Sequence, residues 1–503
     1  MKAAIGPVVT MLLAALPAAA QEAPLPNLFS DVMDVRVVNV EAVVTDRKGN
    51  RVLGLEAGDF ELLVDGEPVP IDYFTEIDEG LAVASQDDGA ESVPSLTPDE
   101  PVGTNFLIFI DELFAIRRQR DGFLNRLERD LALLDPSDQV AIVAFDGYNV
   151  TRLTDWTNSR HKMEEAIGQA RERKALGLTR ILGLGNLEDQ IRRTVMAATA
   201  SIRSLADVPG RKVMLLLVET YCAPNRSWAF SSFWQEGTCW ESVGNVYEPL
   251  VTTANLVGYT VYPVDMAGLR PTFGLDPATG SLLMNTSVEV PEAALWFLAH
   301  ETGGKAMINA YRKVALAETV ADTRSYYWLG FEPPRDKNDM RHDIEVRVVG
   351  RQGLRVRTRT HYLDMSRSAE FTMLVEGSLM FGSTPGEGAL EVRFGTPRKA
   401  GFRKILVPMW VTIPVDDLAL LPIDGQWRNE VEFRISVADK YGDHSKNLGN
   451  RIPIVYPEAP PPGKTFVYGT ELPILKREHR YLAAVYNPVT GEILSHRGTV
   501  GPR

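Results

Sequence analysis

Cysteine is nearly absent: 503 residues carry only Cys222 and Cys239. A disulfide-dense scaffold and a cysteine-rich zinc module are therefore excluded. Histidine is also scarce, and the seven residues at 161, 300, 342, 361, 444, 479 and 496 show no ligand spacing. Beyond the first 20 residues no stretch reaches 18 uninterrupted apolar residues, which argues against a membrane-spanning helix in the rest of the chain. Basic charge is in deficit, 53 Lys and Arg against 66 Asp and Glu, a net charge of −13. An acidic surface repels phosphates and argues against general nucleic-acid binding. Enzyme signatures are missing too. His300-Glu301 is followed by Thr302-Gly303-Gly304, with no second histidine for a metalloprotease. There is no Gly-x-Ser-x-Gly elbow. Gly463-Lys464-Thr465 has Glu458 where a phosphate loop needs its first glycine, so it reads as a turn.

What remains is ordinary globular material, 45% hydrophobic and 24% charged, with length for about three domains at roughly 100–200 residues each. Residues 1–20 read as a signal peptide: Lys2, an apolar run from Val8 to Leu16, and Ala18-Ala19-Ala20 before Gln21. The expected location is periplasmic or secreted. In that oxidising setting Cys222 and Cys239 are expected to close one disulfide loop, worth about 3 kcal/mol in the chain-entropy model. Two unpaired buried thiols are the alternative.

Valine-rich, partly alternating residues from Val35 and a short strand at Phe60 to Val64 predict a small β module over 30–77. Residues 78–103 read as an acidic linker, with seven acids and no Lys or Arg between Asp78 and Glu100. Strands then alternate with helices over 104–335. Asn105 to Ile110, Val140 to Phe145, Val213 to Val218 and Tyr259 to Val264 are continuous apolar runs, while Phe123, Leu124, Leu127, Leu131 and Leu134 keep helical spacing. That order predicts a mostly parallel sheet flanked by helices. Period-two patterns around Gly350 to Gly353 predict a β-hairpin extension over 336–363, and short strands predict a C-terminal β-sandwich over 366–503.

Several pieces, in this order and spacing, resemble the von Willebrand factor type A-related family of exported bacterial proteins. They are Val43-Val44-Thr45-Asp46-Arg47-Lys48-Gly49 with Gly58-Asp59-Phe60, the strand ending in Asp111, Asp135-Pro136-Ser137-Asp138, Gly258 to Asp265, Leu298 to Gly304, and Ser325 to Phe331. The resemblance implies an α/β fold class: a Rossmann-like type A domain between the small β module and the sandwich. It also implies recognition of partner proteins, often through a site where hydroxyl and carboxylate oxygens converge on Mg²⁺. The family's first loop is Asp-x-Ser-x-Ser, with Thr and Asp from two further loops. Here Asp111-Glu112-Leu113-Phe114-Ala115 puts hydrocarbon at both serine positions, Thr179 matches the threonine, and Glu219 stands in place of the aspartate. The site is degenerate.

The expected function is therefore a non-enzymatic, metal-independent adhesion-type module with no cofactor, its partner a protein of the cell envelope or beyond. Tyr221, Trp228, Trp234 and Trp240, in or beside the cysteine loop, are the candidate partner-binding residues, a plug on the sheet edge being the alternative. Two other readings stay open: a Mg²⁺-dependent adhesion protein using Asp111 and Thr179, and an extracytoplasmic hydrolase using carboxylates at strand ends. Asp111 and Asp265 could equally accept N–H bonds from the turns that follow them.

Overall fold

A computed structural model describes residues 37–83, 101–177, 187–206, 208–218, 238–266, 272–275, 282–285, 293–308, 315–333, 338–386, 388–439 and 448–502. Most of the acidic stretch therefore lies outside the described residues, as does the expected signal peptide.

One sheet is mixed, in the order β10 (Tyr259–Asp265), β9 (Arg211–Val218), β6 (Thr104–Asp111), β7 (Gln139–Phe145), β8 (Val150–Thr157). The first four run parallel and the edge strand β8 runs antiparallel. Because alternate side chains point to opposite faces, β6 divides its apolar run between two cores. Leu107 and Phe109 meet α3 (Leu187–Ser204), α4 (Thr238–Val257) and α5 (Ala293–Thr302) on one face. Phe106, Ile108 and Ile110 meet α1 (Arg117–Asp130), α2 (Arg160–Glu172) and α6 (Ala315–Thr323) on the other. Such two-sided burial is why β6 has no polar alternation.

Two further sheets are built from segments far apart in sequence. One has the order β15 (Arg355–Arg357), β1 (Val38–Thr45), β13 (Tyr326–Phe331), β4 (Tyr73–Asp78), β5 (Leu81–Val83). The other has the order β16 (His361–Leu363), β14 (Arg341–Val348), β2 (Phe60–Val64), β3 (Glu67–Val69). Val40, Val44, Leu62, Leu329, Ile344 and Tyr362 share the core between them. The expected hairpin does not pair with itself: β14 pairs with β2 and β16, and β15 with β1. A two-stranded ribbon, β11 (Thr272–Leu275) with β12 (Leu282–Asn285), stands apart from these sheets.

In the C-terminal part, β17 (Gly388–Ala389), β26 (Ile493–Val500), β25 (His479–Tyr486), β22 (Gln426–Asp439) and β21 (Leu421–Ile423) form one sheet, joined by β23 (Leu448–Tyr456) beside β22. A second contains β18 (Glu391–Phe394), β20 (Lys404–Pro414), β19 (Arg398–Lys399) and β24 (Thr465–Leu475). Val407, Met409 and Val411 of one sheet share a core with Phe433, Ile435 and Val485 of the other. Helix α7 (Arg367–Phe381) covers the first sheet. It opens on Ser366, whose hydroxyl accepts the Ala369 N–H at 3.3 Å, and closes on left-handed Gly382.

The expected α/β class with a Rossmann-like type A domain is thereby corrected. Among the described residues strand outweighs helix, 43% to 27%, and five of their six sheets are antiparallel except for the short β17 to β26 pairing. The physical reason is range. Local strand and helix alternation over 104–323 dominates a linear reading, whereas β1 finds its partners in β13 and β15, about 300 residues away.

Candidate functional site

Of the residues singled out from sequence, Asp111 and Asp265 can be placed with their side chains. Thr179, Glu219, Tyr221, Cys222, Trp228 and Trp234 lie outside the described residues. Cys239 and Trp240 begin α4, but their side chains are outside the description as well.

Asp111 ends the central strand β6 and is completely buried. Its Oδ1 accepts the Leu113 N–H at 2.9 Å and the Phe114 N–H at 3.4 Å, and its Oδ2 receives the Thr194 hydroxyl at 3.5 Å from α3. The carboxylate therefore folds the next loop back over the strand end. Leu113, Phe114 and Ala115 are all buried, and they join the cores on the two faces of the sheet. Gly147 after β7 makes room for Leu113: it sits at φ +92°, and a Cβ there would come within 2.9 Å of Leu113 Cδ1.

Beside Asp111 is a hollow of about 20 Å³, lined by Phe114, Ile191, Val195, Leu216 and Tyr247 among others. Roughly 10–15 Å³ suffices for one water, so this space is water-sized and far below a substrate pocket. Burial, reinforced by the Asp111 charge, pushes the Tyr247 phenol well above its usual range.

Glu112 turns to the other side of β6. It is paired with Arg173 through Nε at 2.9 Å and with Arg120 at 3.5 Å. Burial nonetheless raises its carboxyl above the ordinary value, opposed by Arg173 and then Arg120. Arg120 is itself fully buried and donates to Asp121 at 2.9 Å and to the carbonyls of Arg171 and Arg173 at 3.2 and 3.0 Å. Asp146, after β7, accepts the N–H groups of Tyr148 and Asn149 at 2.9 and 2.7 Å. The carboxylates at these strand ends thus organise their own loops. Among the described residues no cluster of three or more His, Cys, Asp or Glu side chains is arranged to hold a metal.

Sequence reasoning missed Arg120, Thr194 and Tyr247. A signal existed for Arg120: it precedes Leu124 by four residues and Leu127 by seven, so a cation falls on the apolar face of α1. Thr194 and Tyr247 carry no such mark, because their nearness to Asp111 depends on how α3 and α4 cross the sheet.

A second group of buried charges fastens the mixed sheet to the β1 sheet. Arg211, at the start of β9, is fully buried; its Nε lies 3.0 Å from Glu41 and its Nη1 donates to the Thr323 carbonyl at 2.9 Å. Its guanidinium lies 3.9 Å from the Tyr326 ring centroid. Asp322 of α6 receives Arg51 and Arg357, each at 2.6 Å, and the Tyr262 hydroxyl at 2.7 Å. Burial would raise the Asp322 carboxyl, but Arg357 and Arg51 overcome it and hold it down to about 2. The Leu298 to Gly304 motif belongs to this packing: a Cβ on Gly304 would fall 1.9 Å from the Val261 carbonyl oxygen.

No family model and no curated protein matches the chain. Among solved structures, a β-glucuronidase of Bacteroides uniformis is 12% identical, covering 22% of this chain and 13% of its own, with a TM-score of 0.17. The human COPII-coat protein Sec24c is 12% identical over 59% of this chain and 50% of its own, at 0.25. The pilus adhesin SpaC from Lactobacillus rhamnosus GG is 8% identical over 79% and 57%, at 0.26. The chain thus spans well under two thirds of each of these proteins, and scores this low establish no shared fold or activity.

Proposed function

We propose that the chain is an exported, non-catalytic module that binds a protein partner of the cell envelope or beyond it, and does so without a metal ion. The observation that carries this reading is the hydrocarbon filling of the loop after β6. Leu113 and Ala115 are buried, and the Asp111 carboxylate is engaged by two backbone N–H groups. Mg²⁺ prefers six oxygens in octahedral array, and two of the side chains nearest this strand end have none to offer. Recognition then falls to shape and apolar contact, for which Tyr221, Trp228, Trp234 and Trp240 are suited by residue type. The motifs shared with the exported type A-related family point in the same direction.

Thr194 favours a second reading, since its hydroxyl already faces Asp111 Oδ2 at 3.5 Å. A cation there would draw on Asp111, Thr179 and a carboxylate from the partner. Calorimetric titration with Mg²⁺ and Mn²⁺ separates the two. The metal-independent reading expects no saturable heat; micromolar binding lost in Asp111→Asn overturns it. Capture from envelope extract should survive chelation, and Trp234→Ala should weaken capture while leaving the melting temperature unchanged.

A further inference from the structure

The outer face of the β18, β20 and β24 sheet presents an aromatic platform. Along β20 the odd-numbered residues Ile405 to Ile413 are buried, whereas Trp410 is 45% exposed and points outward with Pro408 and Thr412. In register, Trp410 stands between Arg393 of β18 and Gly469 of β24. A Cβ on Gly469 would lie 3.4 Å from Trp410 Cδ1, and one on Gly395 would lie 3.0 Å from Cζ3. Opposite ends of the indole therefore touch backbone on opposite sides of β20. The half-exposed ring therefore spans the strands, its two ends against Gly469 and Gly395, which have no side chain to cover it, with Arg393 as its register partner on β18.

Exposed ion pairs border the ring. Arg393 is bound to Glu391 at 2.7 Å, and Arg398 is bound to Glu471, which neighbours Pro408 across the strands. Both arginines nearest the ring have an anion, so the surroundings of the indole are neutral, with exposed Lys399 and Lys404 only at the far end of the sheet. The ring's border offers hydroxyl-binding groups without favouring a charged ligand. The exposed apolar area of this face centres on the indole, with half-buried Leu406, Pro408 and Pro473 beside it. An aromatic side chain presents roughly 150–250 Å², which leaves about 100 Å² of the indole to solvent. Val467, 56% exposed, adds a little. A stable protein interface needs about 800 Å² per partner, whereas the flat C–H face of one sugar ring matches an indole.

We propose that this face binds neutral polysaccharide, with one pyranose ring stacked on Trp410 and its hydroxyls reaching the Arg393–Glu391 and Arg398–Glu471 pairs. The electron-rich ring face attracts the weakly positive C–H edge of the sugar. The open surface suits a residue within a polymer better than a free monosaccharide. This inference does not rest on the protein-binding reading above.

Affinity electrophoresis of the full chain in gels holding soluble β-glucan, xylan or galactomannan, with polygalacturonate as anionic control, tests it. At least one neutral polymer should retard the protein. Trp410→Ala should weaken that binding about tenfold, Trp410→Phe should retain part of it, and Arg393→Ala should weaken it about threefold. If Trp410→Ala fails to fold, Trp410→Phe and Arg393→Ala carry the test. Retardation by none of the neutral polymers, retardation by polygalacturonate alone, or equal retardation of all variants overturns the proposal. So does a concentration-dependent dimer in sedimentation that Trp410→Ala abolishes, which would make the face a self-interface.

Discussion

At the amino end of β9 and along β10, buried charges are matched across layers: Arg211 with Glu41, and Asp322 with Arg51 and Arg357. At the carboxyl ends of β6 and β7 the acids serve the loops beside them, Asp111 and Asp146 each accepting two backbone N–H groups. The pKa directions follow that division. Asp322, with two guanidiniums against it, is held down to about 2, while Glu112 is raised because burial outweighs Arg173 and Arg120. Buried charge therefore acts as a fastening between sheets at one end, and at the other as a former for the adjacent loops.

The sharpest way to break this contrast is Arg211→Met, which leaves Glu41 buried without its cation and removes the Tyr326 stack. Urea denaturation should show a loss of about 3–5 kcal/mol, partly recovered when Glu41→Gln is added. A loss below about 1 kcal/mol would mean that the seam does not fasten the two sheets. Next in size is Leu113→Ala at the opposite end, expected to cost about 2–4 kcal/mol because the loop is packed as core. A near-neutral result would mean that Leu113 faces solvent.

The pH dependence separates the two ends by sign. The folded-state pKa of Asp322 lies below its ordinary 3.8, so its contribution is complete above that value and disappears as pH falls through about 2. That contribution is about 2 kcal/mol, and the stability advantage of the natural chain over Asp322→Asn should shrink across that window. Glu112 has the opposite shift. Its charge costs stability near neutrality, and the cost is relieved as pH falls through the raised pKa. The advantage over Glu112→Gln, about 1 kcal/mol near neutrality, should therefore grow on acidification. Parallel slopes in the two titrations would erase the distinction drawn here.

Much of the local structure could be read from residues alone. The apolar runs that became β6, β7, β9 and β10 are buried on both faces because nothing in them alternates. Tyr326, Tyr327 and Trp328 are core, and Phe123, Leu124 and Leu127 form the buried face of α1. Harder to read was everything that depends on distant pairing. Val40 of β1 looks the same in sequence whether it joins a local hairpin or Leu329 of β13. At the candidate site, the acceptor role of Asp111 toward the following turn was one of the two readings available from sequence. Its contact with Thr194 was not, because α3 reaches it from 83 residues away.

By itself, then, the amino-acid sequence determined the buried strands β6, β7, β9 and β10, the buried face of α1, and which loop positions carry hydrocarbon in place of oxygen. It did not determine α7, which lies where only short strands were expected, nor β5 within the expected linker. Periodicity and side-chain chemistry are properties of neighbours along the chain. Only the tertiary structure decided that antiparallel sheets outnumber the mixed one among the described residues, that Arg211 and Asp322 join two layers, and that the ends of the Trp410 ring rest against two glycines. Those outcomes turn on contacts between residues more than 300 positions apart, whose partners are chosen by the summed burial and charge pairing of the whole fold.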